Sequence, residues 1–590
     1  MIARNAPSLS ANALRVLEAR YLLRDAERRV VETPAELFER VARAIAEAEA
    51  AFGGEGPQYW AERFHARMTA GEFLPNSPTL MNAGTALGQL SACFVLPVAD
   101  TMESIFEALK NMALVQRTGG GTGFSFSALR PRGDPVASTG GEASGPVSFM
   151  RIFDCATEHI KQGGKRRGAN MGVLAVEHPD ILEFVAAKRT PGALANFNLS
   201  VSVPDAFMRA AEAGAEYDLV NPRTGAAVRR LAARELFDTI AQAAWACGDP
   251  GLLFRDAIER ANPTPHLGRI EATNPCGEVP LLPYESCNLG SLNVARFVRE
   301  AAGAVSFDWE GFAAAVADAV RFLDDAIEVN RYPLPEIAAA TRRTRKIGLG
   351  VMGFADSLIR LGIGYDSDEA VAFAERLARA LAESAACGSA RLAERRGAYP
   401  AAPPQGTRLR NATRTAIAPT GTIGILAGAS ASIEPLFALA YRRTGVLGGE
   451  TLEEVNPMLA DALERRGLDA IQVLAAVREK GRLAEVPGVP DDLKRLFVTA
   501  LEIPPERHLA IQAAFQRHVD NAVSKTVNLP HHATPADVAR IYRRAWALGL
   551  KGVTVYRYGA KSAQVLELGA AEAPHHYDHG SRCDPEECRV

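Results

Sequence analysis

Two patterns of hydrophobic positions divide the chain. Up to residue 70, apolar residues recur at helical spacing, as in TPAELFERVARAIAEAEAAF, where Thr33 and Glu36 fit a capping box. From residue 71 to about 570, short apolar runs such as ACFVLPV and GVLAV alternate with helices such as FAAAVADAVRFLDDAIEVN. The pattern predicts a helical N-terminal region over 1–70 and one α/β domain with much parallel sheet over 71–570. Residues 571–590 lack apolar periodicity, and we expect a flexible tail there.

The composition is that of a globular protein with little net charge. Of 590 residues, 47% are hydrophobic and 23% are charged, and 66 basic side chains stand against 69 acidic ones. This balance gives no reason to expect a nucleic-acid polymer as a partner. The chain does not open on a basic stretch with a long apolar core, and no segment has about 18 uninterrupted apolar residues. We therefore expect a cytoplasmic protein that does not enter a membrane.

Eight cysteines are few for this length and do not resemble a secreted disulfide framework, which favours redox or radical chemistry. Two of them lie in NPCGEVPLLPYESCNLG, where Asn-Pro before Cys276 and Gly277 after it indicate a tight loop. If that loop is extended, Glu278 projects to the same side as Cys276. The eleven-residue spacing to Cys287, without a nearby CxxC or HxxxH, argues against zinc, so we predict no metal ligands here. The residues alone leave open whether these cysteines are small buried side chains or reactive groups.

Three further stretches are weak as isolated motifs. APTGTIG could surround an anion with backbone N–H groups and hydroxyls, and RTGGGTG could bring the backbone close to a ligand, although glycine runs are as often plain turns. The basic stretch KQGGKRRGANMG would suit nucleoside phosphates or form a solvated loop. In the tail, Cys583 and Cys588 have C-x4-C spacing. With the nearby His575, His576 and His579 they could form half of a zinc site, or they could be a dithiol that swings inward.

Taken in order, these stretches resemble ribonucleotide reductase from about Asn76 to Gln564. NPCGE resembles the family's finger-loop motif, and SACF, ESCNLGSLN, KQGGKRRGANMG, APTGTIG and SKTVNLP resemble members of the same set. Several long motifs in register are far more specific than one. The resemblance implies a ten-stranded α/β barrel with a central finger loop. Residues 71–570 would then be the catalytic domain, with specificity-effector loops within 130–172.

The resemblance also implies a reaction, the thiyl-radical reduction of ribonucleotides to deoxyribonucleotides, with ribonucleoside diphosphates as expected substrates. Cys276 would abstract the ribose 3′-hydrogen, Glu278 would act as general base on the 3′-OH, and Asn274 would orient the substrate. Cys93 and Cys287 would be the reducing pair that ends as a disulfide. Cys583 and Cys588 would relay electrons to that pair from thioredoxin or glutaredoxin. The implied substrate-binding positions are Ser77, Ala92, Cys93, Gly121, Asn274, Pro275, Cys276, Gly277, Glu278, Pro419, Thr420, Gly421, Thr422 and Ile423.

Two loops resemble those that read a deoxynucleoside triphosphate effector at the interface of a homodimer. They are RPRGDPVASTGGEASG and KQGGKRRGANMG. By this resemblance Asp134 would bind the effector ribose. Lys161, Gln162 and Arg166 would lie near the effector phosphates or relay to the substrate base.

The family's classes differ in how they form the radical. The subclass served by a separate diiron or dimanganese subunit has adjacent tyrosines near the end of the barrel, where this chain reads KGVTVYRYG, with Val555 before Tyr556. The glycyl-radical motif of the RVCGY kind matches YRYGAKS poorly. NPCGEVPLLPYESCNLGS resembles the adenosylcobalamin-dependent class II, so adenosylcobalamin is the expected cofactor. The alternatives are a class I large subunit that needs a radical-generating metal subunit, and a non-catalytic nucleotide-binding regulator.

Overall fold

The computed structural model describes residues 7–136, 140–162, 166–301, 303–447, 450–560 and 566–568. The chain forms two compact units. The larger one takes in the described residues of 1–437 and 498–563, and the smaller one those of 438–497 and 564–590. The expected tail, with Cys583 and Cys588, lies outside the described residues.

The α-helices occur throughout the described chain. They are α1 (Ala11–Arg20), α2 (Pro34–Ala46), α3 (Gly56–Thr69), α4 (Ser77–Asn82), α5 (Met102–Arg117), α6 (Pro146–His159), α7 (Ile181–Ala186), α8 (Asp205–Ala213), α9 (Ala233–Cys247), α10 (Arg255–Arg260), α11 (Trp309–Val329), α12 (Pro335–Thr344), α13 (Phe354–Leu361), α14 (Asp368–Arg396), α15 (Gly421–Ala427), α16 (Pro457–Arg465), α17 (Ala470–Lys480), α18 (Asp491–Leu496), α19 (Pro505–Gln516) and α20 (Pro535–Ala547).

The strands are mostly short. They are β1 (Phe73–Pro75), β2 (Cys93–Val95), β3 (Gly121–Ser125), β4 (Pro135–Val136), β5 (Gly141–Glu142), β6 (Lys161–Gln162), β7 (Arg166–Arg167), β8 (Asn170–Ala175), β9 (Phe197–Val203), β10 (Glu216–Val220), β11 (Ala227–Ala232), β12 (Gly251–Phe254), β13 (Ala272–Thr273), β14 (Pro280–Leu281), β15 (Ser286–Asn293), β16 (Val298–Ala301), β17 (Ala304–Phe307), β18 (Ile347–Met352), β19 (Ala440–Leu447), β20 (Glu450–Val455), β21 (Thr526–Leu529), β22 (Gly552–Arg557) and β23 (Leu566–Leu568).

Helices α1, α2 and α3 lie within the first 70 residues. Helix α2 begins with the predicted capping box, in which the Glu36 N–H donates to Thr33 Oγ1 and the Thr33 N–H donates to Glu36 Oε2. These bonds satisfy two backbone N–H groups that a helix start otherwise leaves without a partner. The boundaries at residues 70 and 570 stay predictions.

A ten-stranded sheet forms the centre of the larger unit. Strands β2, β3, β8, β9 and β12 pair in parallel as one half. In the other half, β15 pairs in parallel with β18, and β21 with β22. The two halves meet through antiparallel pairs, β15 with β2 and β12 with β22.

Two parallel bridges close this sheet into a barrel. Leu349 in β18 pairs with Thr415, and Ile417 pairs with Val523, just before β21. The chain around 415–417 therefore fills the place between β18 and β21. This arrangement confirms the predicted α/β barrel, with two parallel halves that run in opposite directions.

Buried residues on both faces explain why the barrel strands have continuous apolar runs. All residues of β8, β15 and β18 are buried, as expected for parallel strands covered by helices. Between the sheet and α6, Phe124 and Phe153 pack edge to face with ring centroids 5.1 Å apart. This contact packs β3 against α6.

In the smaller unit, β19 pairs with β20 and β23 in a three-stranded antiparallel sheet. Helix α17 packs against β19 and α16, and Leu459, Leu463 and Val477 are buried. Among the described residues of both units, no helix is long and apolar enough to cross a membrane.

Candidate active site

The sequence NPCGEV forms the tip of a hairpin. Strands β13 and β14 pair antiparallel on either side of it. The Gly277 N–H donates to the Asn274 carbonyl oxygen over 3.0 Å, and the Val279 N–H donates to Asn274 Oδ1, also over 3.0 Å. Gly277 has φ +83°, a conformation that glycine adopts without steric strain. Local bonds thus fix the loop of residues 274–279.

This loop lies against strands of the first barrel half. A Cβ added to Gly123 of β3 would lie 1.8 Å from the Thr273 carbonyl oxygen, and one on Gly121 would lie 2.9 Å from Pro275 Cγ. Asn198 in β9 donates its Nδ2 hydrogen to the Pro275 carbonyl oxygen over 2.7 Å. The glycines of RTGGGTG therefore permit the close approach that the sequence raised as one possibility.

The second barrel half contacts the other side of the loop. The Ala522 N–H, just before β21, donates to the Glu278 carbonyl oxygen over 2.8 Å. Because opposite halves of the barrel hold the same loop, it passes through the interior. The expected central finger loop is therefore present.

Cys93 and Cys287 face each other where the two barrel halves meet. They are register partners in the antiparallel pair of β2 and β15, and 3% of Cys93 and 0% of Cys287 are exposed. Directly opposed residues in such a pair have Cα atoms about 4.5–5.5 Å apart, within the range that a disulfide spans. Both are present as thiols, and the geometry allows them to form a disulfide.

The finger loop covers this pair with polar groups. Asn274 donates an Nδ2 hydrogen to Cys93 Sγ over 3.1 Å, and both Asn274 and Glu278 are buried. Burial, with a smaller contribution from the Glu278 charge, raises the pKa of the Cys287 thiol well above its usual range. We call Cys93, Cys287 and the loop 274–279 the redox site.

Cys276 differs from the other two cysteines because it is exposed, at the tip of the loop. Beside it, a Cβ on Gly277 would meet no atom within 4 Å. An exposed thiol next to open space suits a radical donor that approaches from outside the loop. The structure thus combines an accessible thiol at the tip of the hairpin with a buried dithiol on β2 and β15, which the finger loop covers.

APTGTIG forms a turn at the start of α15. Thr420 precedes the helix with φ +51°, and its carbonyl oxygen accepts the Gly424 N–H over 2.8 Å. A Cβ on Gly421 would meet no atom within 4 Å, which leaves space for a ligand. We call residues 419–423 the phosphate turn, after the role that the sequence resemblance implies.

Ser77 lies on the same side of the barrel as the phosphate turn. Its hydroxyl is 2.7 Å from the Tyr21 hydroxyl at the end of α1, and both α1 and β1 pack against α15. Ala92 lies between other predicted positions, because its carbonyl oxygen accepts the Gly121 N–H and its N–H donates to the Cys287 carbonyl oxygen. The predicted substrate residues thus gather around the loop and the turn.

Two family models cover most of the chain. The model described as "Ribonucleotide reductase, barrel domain" matches residues 91–403 and 404–556. The model described as "Ribonucleotide reductase, all-alpha domain" matches residues 7–88. The chain belongs to the ribonucleotide reductase family.

Curated relatives and a solved structure agree with this assignment. A "Vitamin B12-dependent ribonucleoside-diphosphate reductase" of Mycobacterium tuberculosis (strain CDC 1551 / Oshkosh) is 54% identical, covering 95% of this chain and 81% of that protein. A protein of the same name from Thermoplasma acidophilum is 47% identical, covering 96% of this chain and 81% of that protein. The structure of the Actinobacillus ureae class Id ribonucleotide reductase alpha subunit matches with a TM-score of 0.77 and 25% identity, covering 93% of this chain and 97% of that chain.

The positions predicted to bind an effector lie on other elements than the redox site, at Asp134 and on the β6–β7 hairpin. Asp134 accepts hydrogen bonds from Arg223 Nε over 2.8 Å and from Asn221 Nδ2 over 3.0 Å. The hydrogen bond from Arg223 holds the pKa of Asp134 below its usual range, so the carboxylate is ionised. Lys161 and Gln162 lie on β6 and Arg166 on β7, which pair as a hairpin, but the side chains of these three lie outside the described part.

Sequence reasoning missed several residues that hold the finger loop. Asn198 in β9 and Ala522, just before β21, contact it from positions far away in the chain, and no local motif marks either residue. Val555 is buried in β22 opposite Val527, so an apolar side chain fills that place. Across the described ranges, no group of His, Cys, Asp and Glu side chains is arranged to hold a metal ion.

Proposed function

We propose that this ribonucleotide reductase converts ribonucleoside diphosphates to 2′-deoxyribonucleoside diphosphates with the help of adenosylcobalamin. The observation that carries the proposal is the redox site, in which a finger loop with an exposed Cys276 covers the opposed thiols of Cys93 and Cys287. The names of the 54% and 47% identical relatives support the diphosphate substrate and the cobalamin cofactor.

The reaction uses the side chains of the redox site in a defined order. Cys276, as a thiyl radical, takes the hydrogen atom from ribose C3′, while Glu278 accepts the 3′-OH proton and Asn274 orients the sugar. The 2′-OH leaves as water with a proton supplied by the Cys93–Cys287 pair. That pair also supplies the hydrogen that C2′ gains, gives two electrons in all and becomes a disulfide. Glu278 returns its proton to the 3′-oxygen, and Cys276 returns the hydrogen atom to C3′. The balance is one dithiol oxidised for each ribonucleotide reduced.

The burial of the pair fits this use. Because burial raises the pKa of Cys287, its thiol keeps its proton until the leaving hydroxyl needs one. The Asn274 amide next to Cys93 can stabilise negative charge on that sulfur. The raised pKa of Cys287 thus suits that thiol to the role of proton donor.

Adenosylcobalamin, when bound, supplies the radical that removes the hydrogen atom from Cys276. The exposed Cys276 and the open space beside Gly277 support an approach from outside the loop. The buried Val555 does not provide a redox-active side chain for a radical path from a separate subunit. The likeness to a class Id alpha subunit is at 25% identity, against 54% for the vitamin B12-dependent relative.

Exposed apolar side chains on two neighbouring helices support a homodimer. Met102 and Phe106 on α5 and Ile152 on the neighbouring α6 are large exposed hydrophobic side chains. Helix α6 connects the loop of Asp134 with the β6–β7 hairpin, so a deoxynucleoside triphosphate bound there would lie at the interface of the two copies. A Phe106→Glu variant is expected to sediment as a monomer, whereas Ile471→Glu, at an exposed position in the smaller unit, is expected to stay dimeric.

Cys583 and Cys588 are proposed to carry electrons from thioredoxin or glutaredoxin to the buried pair, because a dithiol buried in the barrel is out of reach of a protein reductant. Changing either to serine is expected to spare turnover with dithiothreitol and to stop turnover with thioredoxin. Equal loss with both reductants would contradict the relay.

The decisive experiment incubates the pure protein with a ribonucleoside diphosphate, dithiothreitol and adenosylcobalamin, and then omits only the cobalamin. Deoxynucleotide is expected in the complete mixture alone. Undiminished product without cobalamin would overturn the cofactor assignment. Product that appears only after a metal-containing partner subunit is added would favour a class I large subunit.

A further inference from the structure

The segment of residues 430–434, in which Ser432 and Ile433 are buried, contacts the phosphate turn. The Ser432 N–H donates to Thr420 Oγ1 over 2.7 Å. Both residues have left-handed backbone conformations, with φ +49° for Ser432 and φ +51° for Thr420. Such conformations are unfavourable for residues other than glycine, so the surrounding structure must hold them.

The bond from Ser432 determines how the Thr420 hydroxyl can act. A hydroxyl that accepts an amide hydrogen still has its own O–H to donate. With one lone pair engaged by the Ser432 N–H, the Thr420 hydroxyl can donate its hydrogen to a second acceptor. An anionic phosphate oxygen in the open space beside Gly421 is such an acceptor.

One end of this segment is fixed by Asp356 in α13. The Ser430 N–H donates to Asp356 Oδ2 over 2.6 Å, and the Gly353 N–H donates to the Ser430 carbonyl oxygen over 2.7 Å. In the middle, the Tyr365 hydroxyl donates to the Ile433 carbonyl oxygen over 2.6 Å. These bonds hold the backbone at Ser430 and Ile433. The C-terminal end of the segment is held through the side chain of Glu434.

Glu434 is fixed from β21. The Thr526 N–H donates to Glu434 Oε1 over 2.7 Å, and Lys525 Nζ donates to Glu434 Oε2 over 2.5 Å. The Lys525 side chain is fully buried. A buried ion pair of this kind often adds little to stability compared with apolar side chains, but it fixes geometry.

The remaining donors of Lys525 are also used. Nζ donates to His508 Nδ1 over 3.0 Å and to the Thr526 carbonyl oxygen over 3.2 Å. Burial, with the nearby Lys525 charge, holds the pKa of His508 well below its usual range, so the neutral ring accepts at Nδ1. His508 Nε2 then donates to the Ala500 carbonyl oxygen over 3.1 Å. With three partners and no exposed surface, the Lys525 ammonium group cannot itself reach a phosphate.

We infer that Lys525 is a positioning residue for the substrate diphosphate. It fixes Glu434, Glu434 fixes the segment 430–434, and the Ser432 amide of that segment turns the Thr420 hydroxyl toward the phosphate. The inference rests on the proposed function, which makes residues 419–423 the phosphate turn.

The test compares the affinities of the full-length protein for ADP and for adenosine by calorimetry. The ratio of the dissociation constant for adenosine to that for ADP measures how much the phosphates add to binding affinity. Lys525→Met is expected to weaken ADP binding by about tenfold, the size of one hydrogen bond to a charged group, and to leave adenosine binding unchanged. Glu434→Gln keeps the shape of the side chain and is expected to fold. It should also weaken ADP binding relative to adenosine binding, as Lys525→Met does.

The matched control is Lys188→Met. Lys188 also forms a mostly buried pair, with Asp249 Oδ2 at 3.0 Å, but it does not contact the segment 430–434. Its ratio is expected to equal that of the unchanged protein. An unchanged ratio in folded Lys525→Met or in Glu434→Gln would overturn the inference.

A double-mutant cycle separates positioning from general structural support. In a Thr420→Val background the hydroxyl is gone, so Lys525→Met is expected to weaken ADP binding no further. Additive losses would overturn the path through Thr420. If the unchanged protein binds ADP no better than adenosine, residues 419–423 do not bind the substrate phosphates. The positioning role of Lys525 would then be wrong as well.

Discussion

Arg345 and Lys346 are neighbours in the chain, yet their side chains reach two different buried regions. Arg345 pairs with Asp324 at 2.7 Å, in what we call the Asp324 cluster: Asp324 with Arg345, Arg396 and Arg410. Lys346 pairs with Glu285 at 2.6 Å, next to the redox site. Both regions are buried. A difference in pKa between them therefore reflects the charged side chains that surround each group.

The partners decide which protonation state burial favours. Burial raises the pKa of Asp324, but the charges of Arg345, Arg410 and Arg396 outweigh it and hold that pKa below its usual range. At Cys287, the opposing Lys346 charge is weaker than burial, and the pKa rises. In the Asp324 cluster, the buried carboxylate is therefore ionised and paired with arginines. The redox site instead keeps a protonated thiol that can react.

The largest expected effect separates function from stability. Because Cys276 is exposed, Cys276→Ser removes the radical carrier without opening a cavity. Deoxynucleotide formation is expected to fall by at least ~1,000-fold, while the midpoint of urea unfolding stays the same. Turnover assays with dithiothreitol and adenosylcobalamin measure the first quantity. A serine protein that still turns over substrate would remove Cys276 from the radical role.

The opposite result is expected for the Asp324 cluster. Asp324→Ala removes the carboxylate that three buried guanidinium groups share. Because Arg345 and Arg410 keep Glu328 and Arg396 keeps Glu49 and Asp325, the free energy of unfolding is expected to fall by about 3 kcal/mol, the lower end of the range for a broken buried pair. The folded fraction should keep its activity. The control is Asp492→Ala, which breaks an exposed pair with Arg466 and should leave urea unfolding unchanged. If both variants lost the same free energy of unfolding, the buried cluster would contribute no more to stability than an exposed ion pair.

The two regions also differ in what the sequence predicts. The redox site is predictable because Cys93, Cys276 and Cys287 lie in long motifs that resemble a known family. The cluster is not, because its arginines come from three separate parts of the chain and the sequence FLDDAIEVN shows only a helix. For the same reason the motifs do not reveal Asn198, which holds the finger loop only through a backbone carbonyl.

A smaller effect is expected from a change in how the finger loop enters the barrel. In Gly123→Ala the new Cβ would lie 1.8 Å from a backbone oxygen of the loop, so the loop must move. A shift of about 1 Å at a reacting group lowers the rate by roughly 100-fold, which kcat/KM for the diphosphate would measure. Gly388→Ala is the control, since its Cβ would make contacts of 3.6 Å. Similar values of kcat/KM for both variants would mean that the finger loop does not lie against Gly123.

The smallest expected effect is the pH dependence of stability at Cys287. The folded protein keeps this thiol protonated, whereas the unfolded chain loses the proton above about pH 8.5. The stability contributed by the protonated thiol is therefore complete below that pH and is lost as the pH rises toward the raised pKa. In Cys287→Ala, the alkaline decline in the free energy of unfolding should be shallower by up to about 1.4 kcal/mol per pH unit. Cys387→Ala removes an exposed thiol and should keep the original decline, so matching profiles for the two variants would show that burial of Cys287 does not raise its pKa.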